Sequence, residues 1–145
     1  MLKFSPEVAA AQLVLFLLVW GFFSYTLYRA IKQVKFHNQK LSPVLVWLLM
    51  IPGIQLFASF FVIPRLSDSL KAEFEERNFD ITERPGYKLG IWLSCLLLFI
   101  NLFVYVVPII SLLVLPMLVL LIQYWTKINW YRKVLEKDSL ENFGD

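Results

Sequence analysis

The chain has 145 residues, 59% of them hydrophobic and 17% aromatic, with a net charge of +3. That length suits one domain, and a mean hydropathy of +0.64 points to an integral membrane protein. The small positive charge gives no argument for nucleic acid, and the single cysteine, Cys95, excludes an intrachain disulfide.

Residues 8–28 form the first uncharged stretch. Its basic flank is only Lys3, Glu7 intrudes, and no small-x-small cleavage site follows, so it reads as a retained membrane helix and not a signal peptide. Trp20, Tyr25 and Tyr28 sit toward its second end, as an interfacial aromatic belt would. Arg29–Lys40 is a connector with four basic residues and no acid. It sets topology or meets anionic headgroups. His37, alone in a loop, is expected to be solvated.

Ser42-Pro43 opens a second apolar segment, about 44–63, with an N-cap serine and a first-turn proline. Pro52-Gly53 breaks it near its centre. Gln55 and Ser59, four residues apart, share a face and are placed to satisfy the carbonyls freed there. Ile63, Leu66, Leu70 and Phe74 then follow helical spacing, with Asp68, Lys71, Glu75 and Glu76 on other faces. This predicts an amphipathic helix over about 65–78. Glu73 and Arg77 make an i, i+4 pair. Leu66, Leu70 and Phe74 face either the protein's own bundle or a partner. The carboxylates Asp68, Glu73, Glu75 and Glu76 read as a solvated face.

Leu89–Thr126 is 38 residues without Asp, Glu, Lys, Arg or His. One crossing needs roughly 20 residues, so this reads as a tight hairpin of two helices, about 88–107 and 109–129, broken at Val107-Pro108, and the missing charges argue against the rival, one long helix kinked at Pro108. The first leg holds 13 Leu, Ile, Val or Phe. On an insertion scale they contribute roughly −4 to −8 kcal/mol, so insertion wins. Cys95 inside this run reads as a small buried apolar residue. Tyr124, Trp125, Lys127, Trp130, Tyr131, Arg132 and Lys133 make an interfacial anchor, and 134–145 a frayed tail.

The expected fold is therefore all-α and membrane-integral: four hydrophobic helical segments plus one cytoplasmic amphipathic helix. Topology has two solutions. If all four segments cross, ten basic residues share the side of both termini and four lie opposite. The positive-inside rule then puts both termini in the cytoplasm. If the Pro52-Gly53 segment is re-entrant, thirteen basic residues share one side and only Lys3 lies opposite. The N-terminus is then outside. Both solutions make residues 64–88 and the C-terminus cytoplasmic.

Tyr28-Arg29-Ala30, Leu41-Ser42-Pro43, Trp47, Ile51-Pro52, Leu66-Ser67-Asp68-Ser69-Leu70, Glu73-Phe74, Arg77, Tyr124-Trp125, Lys127-Ile128 and Tyr131 form a pattern over about residues 25–133. It resembles small bacterial multi-pass membrane proteins of unknown function. The resemblance implies a bacterial inner membrane and several helices, and implies no activity. That family type often has an Asn after the Ile-Pro step; here Gln55 stands nearest.

No membrane segment holds an ionisable side chain, which disfavours proton-coupled pumps and voltage sensors. No metal-ligand cluster, phosphate loop or nucleophile–base spacing is present, so no catalytic, cofactor or metal residue is expected. A weak polar stripe remains: Ser94, Asn101 and Tyr105 on the third helix, with Gln123 on the fourth. With Gln55 and Ser59 these are candidates for helix packing or a pore lining. The expected function is a non-enzymatic assembly or scaffold subunit whose partners are the bilayer and a second copy or another membrane protein. The alternative is an oligomeric ion or small-solute channel; a lipid-handling enzyme ranks below both.

Overall fold

The structure, a computed structural model, describes residues 5–103 and 112–142. Among these it is all-helical: α1 Pro6–Lys32, α2 Ile54–Glu76, α3 Tyr87–Phe103 and α4 Val114–Asn142, with 3-10 segments at Phe36–Asn38 and Pro43–Met50. The Val107-Pro108 break lies outside the described residues.

Ser5 caps α1, its Oγ accepting from the Val8 N–H, and Pro6 occupies the first turn. At the other end the Gln39 amide donates to the Ile31 and Val34 carbonyls, at 3.2 and 2.8 Å. It thereby satisfies acceptors that a helix end leaves free. The chain turns at Phe36–Asn38 and descends along α1. Trp47 stacks beside Tyr28 at 5.9 Å, and the Met50 methyl lies 3.8 Å from where a Gly21 Cβ would be. Eight residues of 3-10 helix rise about 2 Å each, so the descent is roughly 16 Å.

Pro52-Gly53 then reverses the chain. Gly53 has φ 84°, a conformation that suits glycine. α2 climbs back beside the descending segment, and Ser69 Oγ accepts from the Lys40 N–H at 2.8 Å. Segment 44–63 therefore returns to the end it left. The expected helix over 65–78 is not separate either. α2 runs through Pro64, because Ala58, Val62, Ile63, Leu66, Leu70 and Phe74 form one buried stripe across it. That shared burial outweighs the one N–H the proline removes.

α3 packs antiparallel to α2 and α4. The contact is close because Gly90 has no side chain: a Cβ there would lie 2.9 Å from the Tyr124 ring and press on Ile63 Cγ2. α4 runs parallel to α1, with Phe23 against Tyr124 and Trp125 at 5.9 and 6.0 Å and Arg29 beside Glu136. Trp20 and Tyr124 belong to the core and not to an interfacial belt. Residues 134–142 of the expected frayed tail are the last turns of α4, with Leu135 fully buried.

Two surfaces result. Arg29, Lys35, His37, Asp68, Glu73, Glu76, Arg77, Arg84, Glu136 and Asp138 pair with one another at one end. Below that end the surface is apolar. Exposed large hydrophobics, apart from Phe36, Trp130 and Leu140, all fall in residues 8–25, 44–61, 92–103 and 112–122, which carry no charge. Among the described residues one helix, α1, is by itself long and apolar enough to cross a membrane; α3 is apolar and covers 17 residues.

Candidate functional site

The charged end is organised by one buried carboxylate. Glu73 is fully buried on α2, which corrects its expected place on a solvated face. Its oxygens accept from the Lys35 N–H at 2.9 Å, the Asn38 amide at 3.0 Å and Arg77 Nε at 2.8 Å. A buried carboxylate is tolerated only with such partners. Arg77 extends the network. Its Nη1 donates to the Leu135 carbonyl, Asp138 and Ser139, at 2.8–3.1 Å, and its Nη2 to the Gln33 carbonyl. One arginine thus ties the α1 connector, the end of α2 and the end of α4.

A second carboxylate, Glu76, joins this network at its exposed side through the same Lys35 and Asn38. It accepts from Lys35 Nζ at 2.6 Å and from the Asn38 amide, and His37 Nε2 lies 2.7 Å from its Oε2. His37 is therefore exposed but partnered, not free in solvent. The hydrogen bond from Lys35, then those from His37 and Asn38, hold the Glu76 carboxyl down to about 2.

α2 ends in a Schellman motif. Asn78 takes φ 59°, the Phe79 N–H donates to the Phe74 carbonyl, and the Asn78 N–H to the Glu75 carbonyl. The motif folds Phe79 back onto Phe74, ring centroids 5.4 Å apart, and Phe74 meets Tyr131 at the same distance. A cavity of about 480 Å³ lies between loop 79–83 and α4, lined by Phe79, Asp80, Glu83, Lys127, Trp130 and Tyr131 among others. The Lys88 hydrogen bond and charge, with Lys127 behind, lower the Glu83 carboxyl. Burial, and then Glu83 nearby, raise the Tyr131 hydroxyl.

The residues singled out from the sequence do not gather at either place. Leu66, Leu70 and Phe74 are buried in the chain's own core, so of the two faces the sequence left open, bundle or partner, they take the first. Gln55 and Ser59 are buried on α2, and Ser59 Oγ donates to the Leu56 carbonyl. Ser94 is fully buried and donates to the Gly90 carbonyl. Asn101 is exposed on α3 and its amide donates to the Leu97 carbonyl; Gln123 is exposed on α4. Tyr105 lies outside the described residues. Among the described residues these side chains form no shared lining. Cys95 is exposed and not buried as expected.

Sequence reasoning paired Glu73 with Arg77 but missed that both are tied to Gln33, Lys35, Asn38 and Asp138. Those partners lie 35 to 61 positions away and leave no local signal. Among the described residues no three His, Cys, Asp or Glu converge as metal ligands. Comparison with protein-family models, curated proteins and solved structures gave no match.

Proposed function

We propose that the chain is a non-enzymatic bacterial inner-membrane protein that assembles with a second copy or another membrane protein. α1, α3 and α4 cross the bilayer, and residues 41–63 dip in and return. The observation that carries this reading is the division of the surface. Charged side chains from Arg29 onward meet one another at one end, while uncharged segments expose Leu15, Phe22, Phe57, Trp92, Leu102 and Leu115 below it. Soluble monomers rarely expose contiguous apolar patches beyond a few hundred Å². The roughly 16 Å depth of the 3-10 descent is about half of a hydrocarbon core of about 30 Å.

The same geometry favours the re-entrant topology over four crossings. Lys35, His37 and Asn38 touch Glu73 and Glu76, so the basic connector and residues 64–88 lie on one side. That side is the cytoplasmic one by the positive-inside rule, and the N-terminus is outside. Re-entrant backbone is stable where protein covers it, and here α1 and α2 flank the descending segment.

Assembly is supported by Asn101 and Gln123, polar side chains exposed on otherwise apolar helix faces. A neighbouring chain removes them from lipid. Sedimentation in mild detergent tests this: the wild type runs as an oligomer or complex, and Asn101→Leu shifts it toward monomer. A monomeric wild type, or an unchanged mass in the variant, refutes assembly through this face. Ion flux across reconstituted liposomes instead supports the channel.

A further inference from the structure

The cavity between loop 79–83 and α4 has a chemistry that the assembly reading does not use. Its walls are aromatic, with Phe79, Trp130 and Tyr131, and Trp130 stacks edge-on against Tyr131 at 5.0 Å. Its charged groups are Asp80 and Glu83 on the loop and Lys127 on α4. Among the described residues neither Asp80 nor Lys127 forms an ion pair, while Glu83 shares its charge with the exposed Lys88. About 480 Å³ falls within the roughly 300–1,000 Å³ of small-molecule sites.

We propose that this cavity binds a phosphoethanolamine group, the headgroup of a membrane phospholipid, with its ammonium on Asp80, Glu83 and the aromatic faces and its phosphate on Lys127. The proposal rests on the membrane reading above. Charge selects the ligand class. A purely anionic headgroup meets Lys127 but is repelled by two carboxylates. A simple cation satisfies the carboxylates and leaves Lys127 opposing it. A zwitterion with a primary ammonium matches both, and it hydrogen-bonds carboxylates where a quaternary ammonium does not. Aromatic faces add cation–π attraction. Depth agrees: Trp, Tyr and Lys collect at headgroup level, and Trp130 is 60% exposed beside the cavity. Tyr131, also in the lining, carries a hydroxyl that can donate to phosphate.

The test is native mass spectrometry of the full chain in detergent. Phosphatidylethanolamine, phosphatidylcholine and phosphatidylglycerol of equal acyl chains are titrated, alongside soluble phosphoethanolamine. Wild type retains phosphatidylethanolamine at the lowest concentration. The double variant Asp80→Asn, Glu83→Gln and the variant Trp130→Ala each weaken that retention about 2- to 30-fold, and the double variant, its repulsion removed, retains phosphatidylglycerol at least as well as wild type. Equal retention of the three lipids, or double-variant retention equal to wild type, overturns the site. The loop carboxylates are exposed, so that arm stands even where Trp130→Ala fails to fold. Displacement by soluble phosphoethanolamine at lipid-like concentrations overturns the lipid as source. Vesicle flotation separates the two levels. A chain that floats without headgroup preference loses this site alone, and one that floats with no vesicle loses the membrane reading and the site together.

Discussion

Replacing Glu73 with alanine removes the acceptor on which the charged end converges. The carboxylate is fully buried and accepts three hydrogen bonds, of 2.8, 2.9 and 3.0 Å. Removing one partner of a buried ion pair costs about 3–5 kcal/mol, because the other charge and donors stay desolvated. Here Arg77 keeps Asp138 at 2.8 Å and the Leu135 and Gln33 carbonyls, which places the loss in the lower part, about 3–4 kcal/mol. For a chain of this size that is roughly 6–15 °C in melting temperature. Arg29→Ala is the control. Its pair with Glu136 is 3.4 Å long and about 40% exposed on both sides, so its loss costs about 0–1 kcal/mol. Thermal melting in one detergent, followed by circular dichroism, compares the two. A Glu73→Ala protein that melts within about 2 °C of wild type refutes the claim that this carboxylate holds the end together.

Gly90→Leu forces a side chain against Tyr124 and Ile63, where even a Cβ lies 2.9 Å from the ring; it destabilises by about 1–3 kcal/mol or more, read in the same melt. Glu76 carries the pH dependence. Its carboxyl is lowered from 4.5 to about 2, so its stabilisation is complete above 4.5 and is lost as pH falls toward 2. The melting difference between wild type and Glu76→Gln therefore narrows across that window, and a difference that persists at the acid limit contradicts the pairing with Lys35, His37 and Asn38.

The helices themselves were legible, because uncharged runs and their capping residues are local signals. Pro52-Gly53 marked a break for the same reason but left kink and reversal open; the reversal shows only in the fold, where Gly53 takes φ 84°. Pro64 misled: a proline between an apolar run and an amphipathic one reads as a boundary, yet the buried stripe from Ala58 to Phe74 keeps its period across it. The end of α4 could have been found by that argument. Tyr124, Ile128, Tyr131 and Leu135 recur at four, seven and eleven positions, so the buried face continues into the presumed tail. Glu73 could not have been found so. Its burial depends on Lys35 and Asn38 being folded back over α2, and the Asx and basic residues of a connector look the same whether they cover a carboxylate or meet solvent. The cavity was hidden for a related reason: its wall forms only after Asn78 turns Phe79 back onto Phe74.

The one-sided gathering of charge is the central claim, and cysteine accessibility tests it most directly. In a Cys95→Ser background, Ser5→Cys, Phe36→Cys and Lys137→Cys each place one exposed thiol near the N-terminus, in the basic connector or on the end of α4. A membrane-impermeant maleimide is added to intact cells, with permeabilised cells as the control in which all three react. Labelling of the residue 5 variant alone in intact cells is the predicted result. Labelling at residue 36 from outside contradicts the account, since it separates the connector from Glu73 and Glu76 by the whole bilayer.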